Sequence, residues 1–147
     1  MSLEKQDNLH KELDLIQGVI SRMANNSFLT RGWAMTLVSA LIAFGKDAIF
    51  TKVNGIYYLL MMIVILVPFW WLDSFYLYQE RVYRKIYRKV INDPEAIHRL
   101  RYDLNPGELK DNESIVRIMW ADHMKWFYLF FILVLLVGII LKLSRFL

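Results

Sequence analysis

Three long runs without a charged residue constrain this chain more than any other feature. Residues 55–72 form an uncharged run of eighteen, residues 126–141 form one of sixteen, and residues 32–45 form one of fourteen that Phe28 and Leu29 extend. A helix needs about twenty apolar residues to cross a hydrocarbon core about 30 Å thick. Because 56% of the 147 residues are hydrophobic, the sequence predicts an all-α membrane protein with three transmembrane helices and helical cytoplasmic extensions.

The distribution of lysine and arginine predicts how these helices are oriented. If the spans alternate in direction, fourteen basic residues lie on one side of the membrane and four on the other. The richer side is cytoplasmic by the positive-inside rule, so we expect a cytoplasmic N-terminus and an external C-terminus. The predicted order is a cytoplasmic amphipathic helix (1–27), a first span (28–46), an external loop (47–54), a second span (55–73), a helical cytoplasmic region (74–123), a third span (124–143) and an external tail (144–147).

The N-terminal segment carries an apolar seam. Leu9, Leu13, Ile16, Ile20 and Met23 are spaced alternately four and three residues apart, which is the heptad pattern of a helix that packs along one edge. The pattern is too short to require a free coiled coil. We expect it to pack on a partner helix, and a second copy of the chain is one candidate.

The opposite face of the same helix carries a stripe of small and polar side chains. If the helix runs unbroken into the first span, the stripe is continuous along both. Small residues let membrane helices approach closely, and polar side chains at this depth can instead line a water-filled pore. Both interpretations, packing and pore, stay open. The stripe consists of Gly18, Arg22, Asn25, Leu29, Gly32, Thr36, Ser39 and Ala43.

The stretch QERVYRKIYRKV, residues 79–90, predicts a basic helix that continues directly from the second span. On a helical wheel Val82, Ile86 and Val90 share one side, flanked by Tyr83 and Tyr87, and the basic residues share the other. Such a helix buries its apolar side and presents positive charge to an anionic partner. The predicted anion-binding residues are Arg81, Arg84, Lys85, Arg88 and Lys89, together with Arg99 and Arg101 from the segment that follows.

Three anionic partners fit this surface: lipid phosphates, an acidic protein and a nucleotide-like ligand. Basic residues just inside a membrane commonly contact anionic lipid. That explanation suits Arg81 to Lys85 better than Arg88 and beyond, which lie about 24 Å or more past the end of the second span at 1.5 Å per residue. Repeated around the axis of a symmetric oligomer, the same residues would form a basic vestibule suited to a phosphate-bearing ligand.

Local signals predict the remaining cytoplasmic elements. Asn92 is expected to end the basic helix, and Asp93 and Pro94 to cap and begin a short helix over residues 95–104. Asn105-Pro106-Gly107 predicts a turn. A last helix, from about Asn112, is expected to lead into the third span. The Asp73 carboxylate at the end of the second span is expected to mark the membrane interface, or to pair with Arg81 or with an arginine of a neighbouring subunit.

The chain lacks the residue sets that catalysis requires. Cysteine is absent, and His10, His98 and His123 each stand alone without a second ligand at metal spacing. No phosphate-binding glycine loop or nucleophile motif is present. We therefore expect no enzyme activity, no cofactor and no metal site.

The block IQGVISRMANNSFLTRGWAMTLVSAL, residues 16–41, resembles the membrane effectors of Hailong anti-phage systems, small bacterial proteins encoded beside nucleotidyltransferases. The resemblance implies a homo-oligomeric channel of the bacterial inner membrane whose cytoplasmic chamber binds short DNA oligomers made by the partner enzyme. Occupancy would hold the channel closed, and loss of the ligand would open it and depolarise the cell. The alternative hypothesis is a non-channel membrane adaptor that binds anionic lipid and a protein partner.

Overall fold

The computed structural model describes residues 3–51, 55–92, 102, 104–107 and 114–144. These residues form four helices and no strand: α1 (Leu3–Thr51), α2 (Gly55–Asn92), α3 (Ile115–Met119) and α4 (Asp122–Leu143). α1, α2 and α4 each contain a segment long and apolar enough to cross a membrane. The predicted all-α membrane fold is confirmed.

α1 and α2 form a long antiparallel hairpin. α1 has 49 residues and α2 has 38, which corresponds to about 73 Å and about 57 Å of helix. Near the link between them, the Tyr58 hydroxyl donates a hydrogen bond to the Leu41 carbonyl oxygen at 2.9 Å. A Cβ atom at Gly45 would collide with the Tyr58 ring, so any larger residue there would force the ring or the backbone to shift. We call residues 3–30 and 74–92 the polar half of the hairpin, and the remainder its apolar half.

The N-terminal seam packs on α2 of the same chain. Ile16 and Ile20 are buried against Ile86 and Val90. Leu9, Leu13, Tyr83, Tyr87 and Leu104 surround this cluster. Each fully buried isoleucine or valine stabilises the hairpin by about 1.5–3 kcal/mol relative to exposure. The seam is therefore confirmed as a packing edge, and its partner is the basic helix.

α4 packs against the apolar half of α2. Met62, Leu66 and Trp70 of α2 form one buried cluster with residues that include Tyr128 and Leu135 of α4. At the C-terminal end of α4 the Lys142 ammonium is buried and donates to the Ile49 carbonyl oxygen. This contact places a cation at the C-terminal end of α1, where carbonyl groups lack helical partners.

The helix leading into the third span was expected to be continuous, and this prediction was wrong. α3 begins after its N-cap Ser114, whose Oγ accepts a hydrogen bond from the Arg117 backbone N–H at 3.1 Å. The helix is then interrupted at Trp120 and Ala121, and Ala121 is extended with φ −63° and ψ 142°. Tertiary contacts explain the break, because the Met119 carbonyl oxygen accepts a hydrogen bond from Trp70 Nε1 at 3.2 Å.

The segment after α2 agrees only in part with the sequence predictions. α2 ends at Asn92 as expected, and residues 93–101 lie outside the described residues. The predicted helix does not extend to residue 104, since Tyr102 is left-handed at φ 63° and Leu104 is not helical. The backbone N–H of Tyr102 donates to Glu12 Oε1 at 3.2 Å instead. The predicted turn is confirmed: the Gly107 N–H donates to Asn105 Oδ1 at 3.1 Å, and Gly107 has φ +41°.

Candidate functional site

A buried polar cluster joins α1, α2 and α4 where the two halves of the hairpin meet. We define it as Ser27, Arg31, Asp73 and Tyr128. Asp73 is fully buried, and its Oδ2 accepts hydrogen bonds from Arg31 Nε at 2.7 Å and the Tyr128 hydroxyl at 3.2 Å. Its Oδ1 accepts from the Ser27 hydroxyl and from Arg31 Nη2, the latter at 3.4 Å. The carboxylate of α2 thus accepts hydrogen bonds from side chains of both α1 and α4.

Neighbouring side chains complete the surroundings of the cluster. Arg31 Nη2 lies 3.0 Å from Met124 Sδ, and the Tyr128 hydroxyl also lies 3.3 Å from the Phe69 carbonyl oxygen. The Trp70 ring stacks on the Tyr128 ring at 5.6 Å between centroids. An unpaired buried carboxylate costs several kcal/mol. The hydrogen bonds and the ion pair offset that cost, so the cluster stabilises one arrangement of the three helices.

This partnership was not predicted. Asp73 was expected to mark the membrane interface, or to pair with Arg81 or with an arginine of a neighbouring subunit. The structure pairs Asp73 with Arg31 of the same chain. The sequence contained a signal for this pairing. In an antiparallel hairpin with a short link, residues at equal distances from the link lie side by side. Arg31 and Asp73 lie almost equally far from the link at residues 52–54.

Four exposed tryptophans lie close to the level of the cluster. We call Trp33, Trp71, Trp120 and Trp126 the tryptophan belt; all are exposed. Trp33, Trp71 and Trp126 lie two residues from Arg31, Asp73 and Met124 respectively, and the Trp120 ring is 5.9 Å from that of Trp70. Tryptophan concentrates at membrane–water interfaces. The belt therefore indicates where the membrane ends.

The apolar half has the length that this boundary requires. From Asp73 back to Gly55, α2 spans 18 residues, or about 27 Å at 1.5 Å per residue. That distance is close to the hydrocarbon thickness of a bilayer, about 30 Å. A boundary at the belt therefore leaves the polar half outside the hydrocarbon core.

The basic face of α2 has the predicted arrangement. Val82, Ile86 and Val90 are buried towards α1. Arg84, Arg88 and Lys89 are exposed, and Arg81 and Lys85 are partly buried. The Arg84 guanidinium pairs with Glu80 at 2.7 Å, and Arg88 Nε lies 3.4 Å from the Arg84 carbonyl oxygen. Arg99 and Arg101 of the predicted set lie outside the described residues.

The basic face extends well beyond the membrane boundary. Arg84 and Arg88 follow Asp73 by 11 and 15 residues, or about 17 Å and about 23 Å along the helix. Attraction to an anionic lipid surface decays within a Debye length, about 8 Å at physiological salt. An upright hairpin therefore holds Arg88 too far from lipid for a strong contact.

The small-residue stripe faces away from the rest of the described chain. All eight of its members are exposed, and no atom lies within 4 Å of a Cβ built at Gly18 or Gly32. The Thr36 hydroxyl donates to the Gly32 carbonyl oxygen of its own helix at 2.9 Å. Within the described chain the stripe therefore packs against no other helix. Arg22, Asn25, Ser39 and Ala43 share this outward position.

The stripe and the outermost arginines lie on opposite sides of the hairpin. Gly18 is two residues, or about 200°, from the inward-facing Ile16. Arg88 is likewise two residues from the inward-facing Ile86. α1 and α2 therefore direct the stripe and the outermost arginines in opposite directions.

Among the described residues, no group of three or more histidine, aspartate or glutamate side chains could hold a metal ion. In comparisons with known proteins, no family model, no curated protein and no solved structure matches the chain.

Proposed function

We propose that the protein is a homo-oligomeric ion channel of the bacterial inner membrane, an anti-phage effector gated by an anionic nucleotide or DNA oligomer. One observation carries the proposal: the stripe on α1 stays exposed through the apolar half. Gly32, Thr36, Ser39 and Ala43 are all exposed there. A second copy of the chain or a water-filled pore would cover these small and polar residues better than lipid.

The other outward faces of the apolar half differ from this stripe. α2 exposes Tyr57, Leu60 and Val64, and α4 exposes Phe130 and Leu133. Such side chains match the hydrocarbon core of a bilayer. α1 is therefore the helix that borders the pore axis in the proposed channel, and α2 and α4 face lipid or neighbouring subunits.

This arrangement changes where the ligand is expected to bind. With the α1 stripe towards the axis, Arg84 and Arg88 point outwards, so they do not line a central vestibule. The proposed ligand site is then the outer basic surface of each hairpin, on the cytoplasmic side that the positive-inside rule assigns to the polar half. Its distance from the belt favours a soluble anion over the lipid of the adaptor hypothesis.

A cysteine scan tests the channel directly, because the chain contains no native cysteine. Thr36→Cys and Ser39→Cys are reconstituted in liposomes and treated with a membrane-impermeant thiol reagent during ion-flux measurements. Val64→Cys and Leu133→Cys are the matched controls, since both are exposed on apolar faces. We expect the reagent to reduce flux through the two stripe variants and to leave the controls unchanged.

One result contradicts the channel, and a second contradicts only the assignment of α1 to its pore. Absence of ion flux from the reconstituted wild-type protein, with or without the oligonucleotide, leaves the adaptor hypothesis. If the reagent reduces flux through Val64→Cys and leaves flux through Thr36→Cys unchanged, the pore is assigned to another helix.

A further inference from the structure

α3 exposes an apolar edge although it is too short to span a membrane. Val116 is 63% exposed and Trp120 is 59% exposed, and their four-residue separation puts them on one side of the helix. Ile118 is buried. A short helix in water has no reason to present valine and tryptophan together, so an apolar phase is the expected neighbour of this edge.

The fold fixes α3 at the membrane boundary. The Met119 carbonyl oxygen accepts a hydrogen bond from Trp70 Nε1 at 3.2 Å, and Trp70 stacks on Tyr128 of the buried polar cluster. Trp120 is itself a member of the tryptophan belt. α3 is thereby tied to the level at which the transmembrane helices leave the bilayer.

Positive charge lies beside the apolar edge. Arg117 is exposed and is three residues from Trp120 on the same side of the chain. The Lys125 ammonium lies 5.8 Å from the Trp126 ring centroid, on the adjoining turn of α4. A side that combines apolar residues with basic ones matches an interface of acyl chains beneath anionic headgroups.

We propose that α3 is an interfacial anchor that binds anionic lipid headgroups. Val116 and Trp120 enter the acyl boundary, and Arg117 binds the headgroup phosphate. This site is separate from the outer basic surface of α2, and it requires neither a channel nor a soluble ligand.

Fluorescence quenching tests the anchor. Val116→Cys is labelled with bimane and reconstituted in vesicles of phosphatidylcholine and phosphatidylglycerol, one of which carries a nitroxide on its acyl chain. Asp14→Cys, an exposed site in the polar half, is the control for water exposure. We expect lipid nitroxides to quench bimane at residue 116, and aqueous iodide to quench it at residue 14.

Headgroup preference is measured in the same vesicles. We expect labelled phosphatidylglycerol to be enriched at residue 116 by about fivefold over labelled phosphatidylcholine, the effect of one basic residue at an anionic surface. Arg117→Gln should abolish the enrichment and Arg117→Lys should retain it. Arg84→Gln, on the outer basic surface, should not change it.

Each contrary outcome overturns the proposal. Quenching of residue 116 by iodide and not by lipid would place α3 in water. Protection from both quenchers would assign its edge to a second protein copy. Equal quenching by the two lipids would remove the preference for anionic headgroups.

Discussion

The Arg31–Asp73 ion pair offers a test in which two partners of one contact respond differently to mutation. The Asp73 side chain is completely buried, whereas the Arg31 side chain is 30% exposed and lies at the level of the tryptophan belt. Among the described residues, Arg31→Met leaves the buried carboxylate with the Ser27 and Tyr128 hydroxyls as its donors. Asp73→Asn leaves a guanidinium whose long stem can extend towards the headgroups.

The magnitudes follow from this asymmetry. Removing one partner of a buried ion pair costs about 3–5 kcal/mol when the other charge stays buried, which we expect for Arg31→Met. Losing a hydrogen bond to a charged group costs about 1.5–3 kcal/mol, which we expect for Asp73→Asn. The double variant buries no unpaired charge and should be more stable than Arg31→Met alone. The two substitutions should therefore be strongly non-additive.

Unfolding in mixed micelles of a mild detergent and dodecyl sulfate measures these differences. Four of the five tryptophans lie within three residues of a cluster member, and the Trp120 ring contacts that of Trp70, so their fluorescence reports disruption of the cluster. Arg22→Met, at an exposed position of the same helix, is the matched control and should change stability by no more than about 0.5 kcal/mol. Equal costs for the two single variants, or additive costs in the double variant, would refute the reasoning.

Three further predictions address the ligand, the close helix contact and the topology. We expect the protein to bind an oligonucleotide tightly at low salt and more weakly as salt rises. The double variant Arg88→Glu, Lys89→Glu should lose this binding, whereas the control Lys5→Glu should retain it. Equal binding by the double variant and the control in a fluorescence-anisotropy titration would exclude this surface. Gly45→Ala should lower the stability of the hairpin by about 1–3 kcal/mol, because the new Cβ collides with Tyr58. Gly18→Ala, with open space around it, should raise that stability by up to about 1 kcal/mol. Both changes in stability are measured by the same unfolding titration in mixed micelles. Reporter fusions after Leu147 should be external and fusions at Asn105 cytoplasmic, and a cytoplasmic signal after Leu147 would contradict the three-span topology.

Local periodicity accounts for the parts of the fold that the sequence predicted well. Val82 and Ile86 share a side of α2 because a helix repeats every 3.6 residues, and the same holds for Ile16 and Ile20 on α1. Such patterns show which side of a helix is buried. They do not identify the partner, and the seam on α1 could not be assigned to α2 until the register of the hairpin was known.

The missed features depend on contacts between distant residues. The Asp73 carboxylate meets Arg31 because the Gly45–Tyr58 contact and the short link fix that register. No glycine or proline at the break between α3 and α4 predicts it from the sequence. The break coincides with the hydrogen bond between the Met119 carbonyl oxygen and Trp70 Nε1. The stripe on α1 was readable as a pattern, yet only the structure shows that it faces away from every other described helix.

The continuity of α1 makes it a stiff lever. No proline interrupts its 49 residues, and the Arg31–Asp73 contact is a natural fulcrum within it. From Arg31 the helix extends 28 residues to Leu3 and 20 residues to Thr51, giving arms of about 42 Å and about 30 Å. A sideways displacement of the N-terminal end would move the opposite end in the reverse direction by about seven-tenths as much. A displacement of the N-terminal end, far from the bilayer, would thus produce a displacement of similar size within the bilayer.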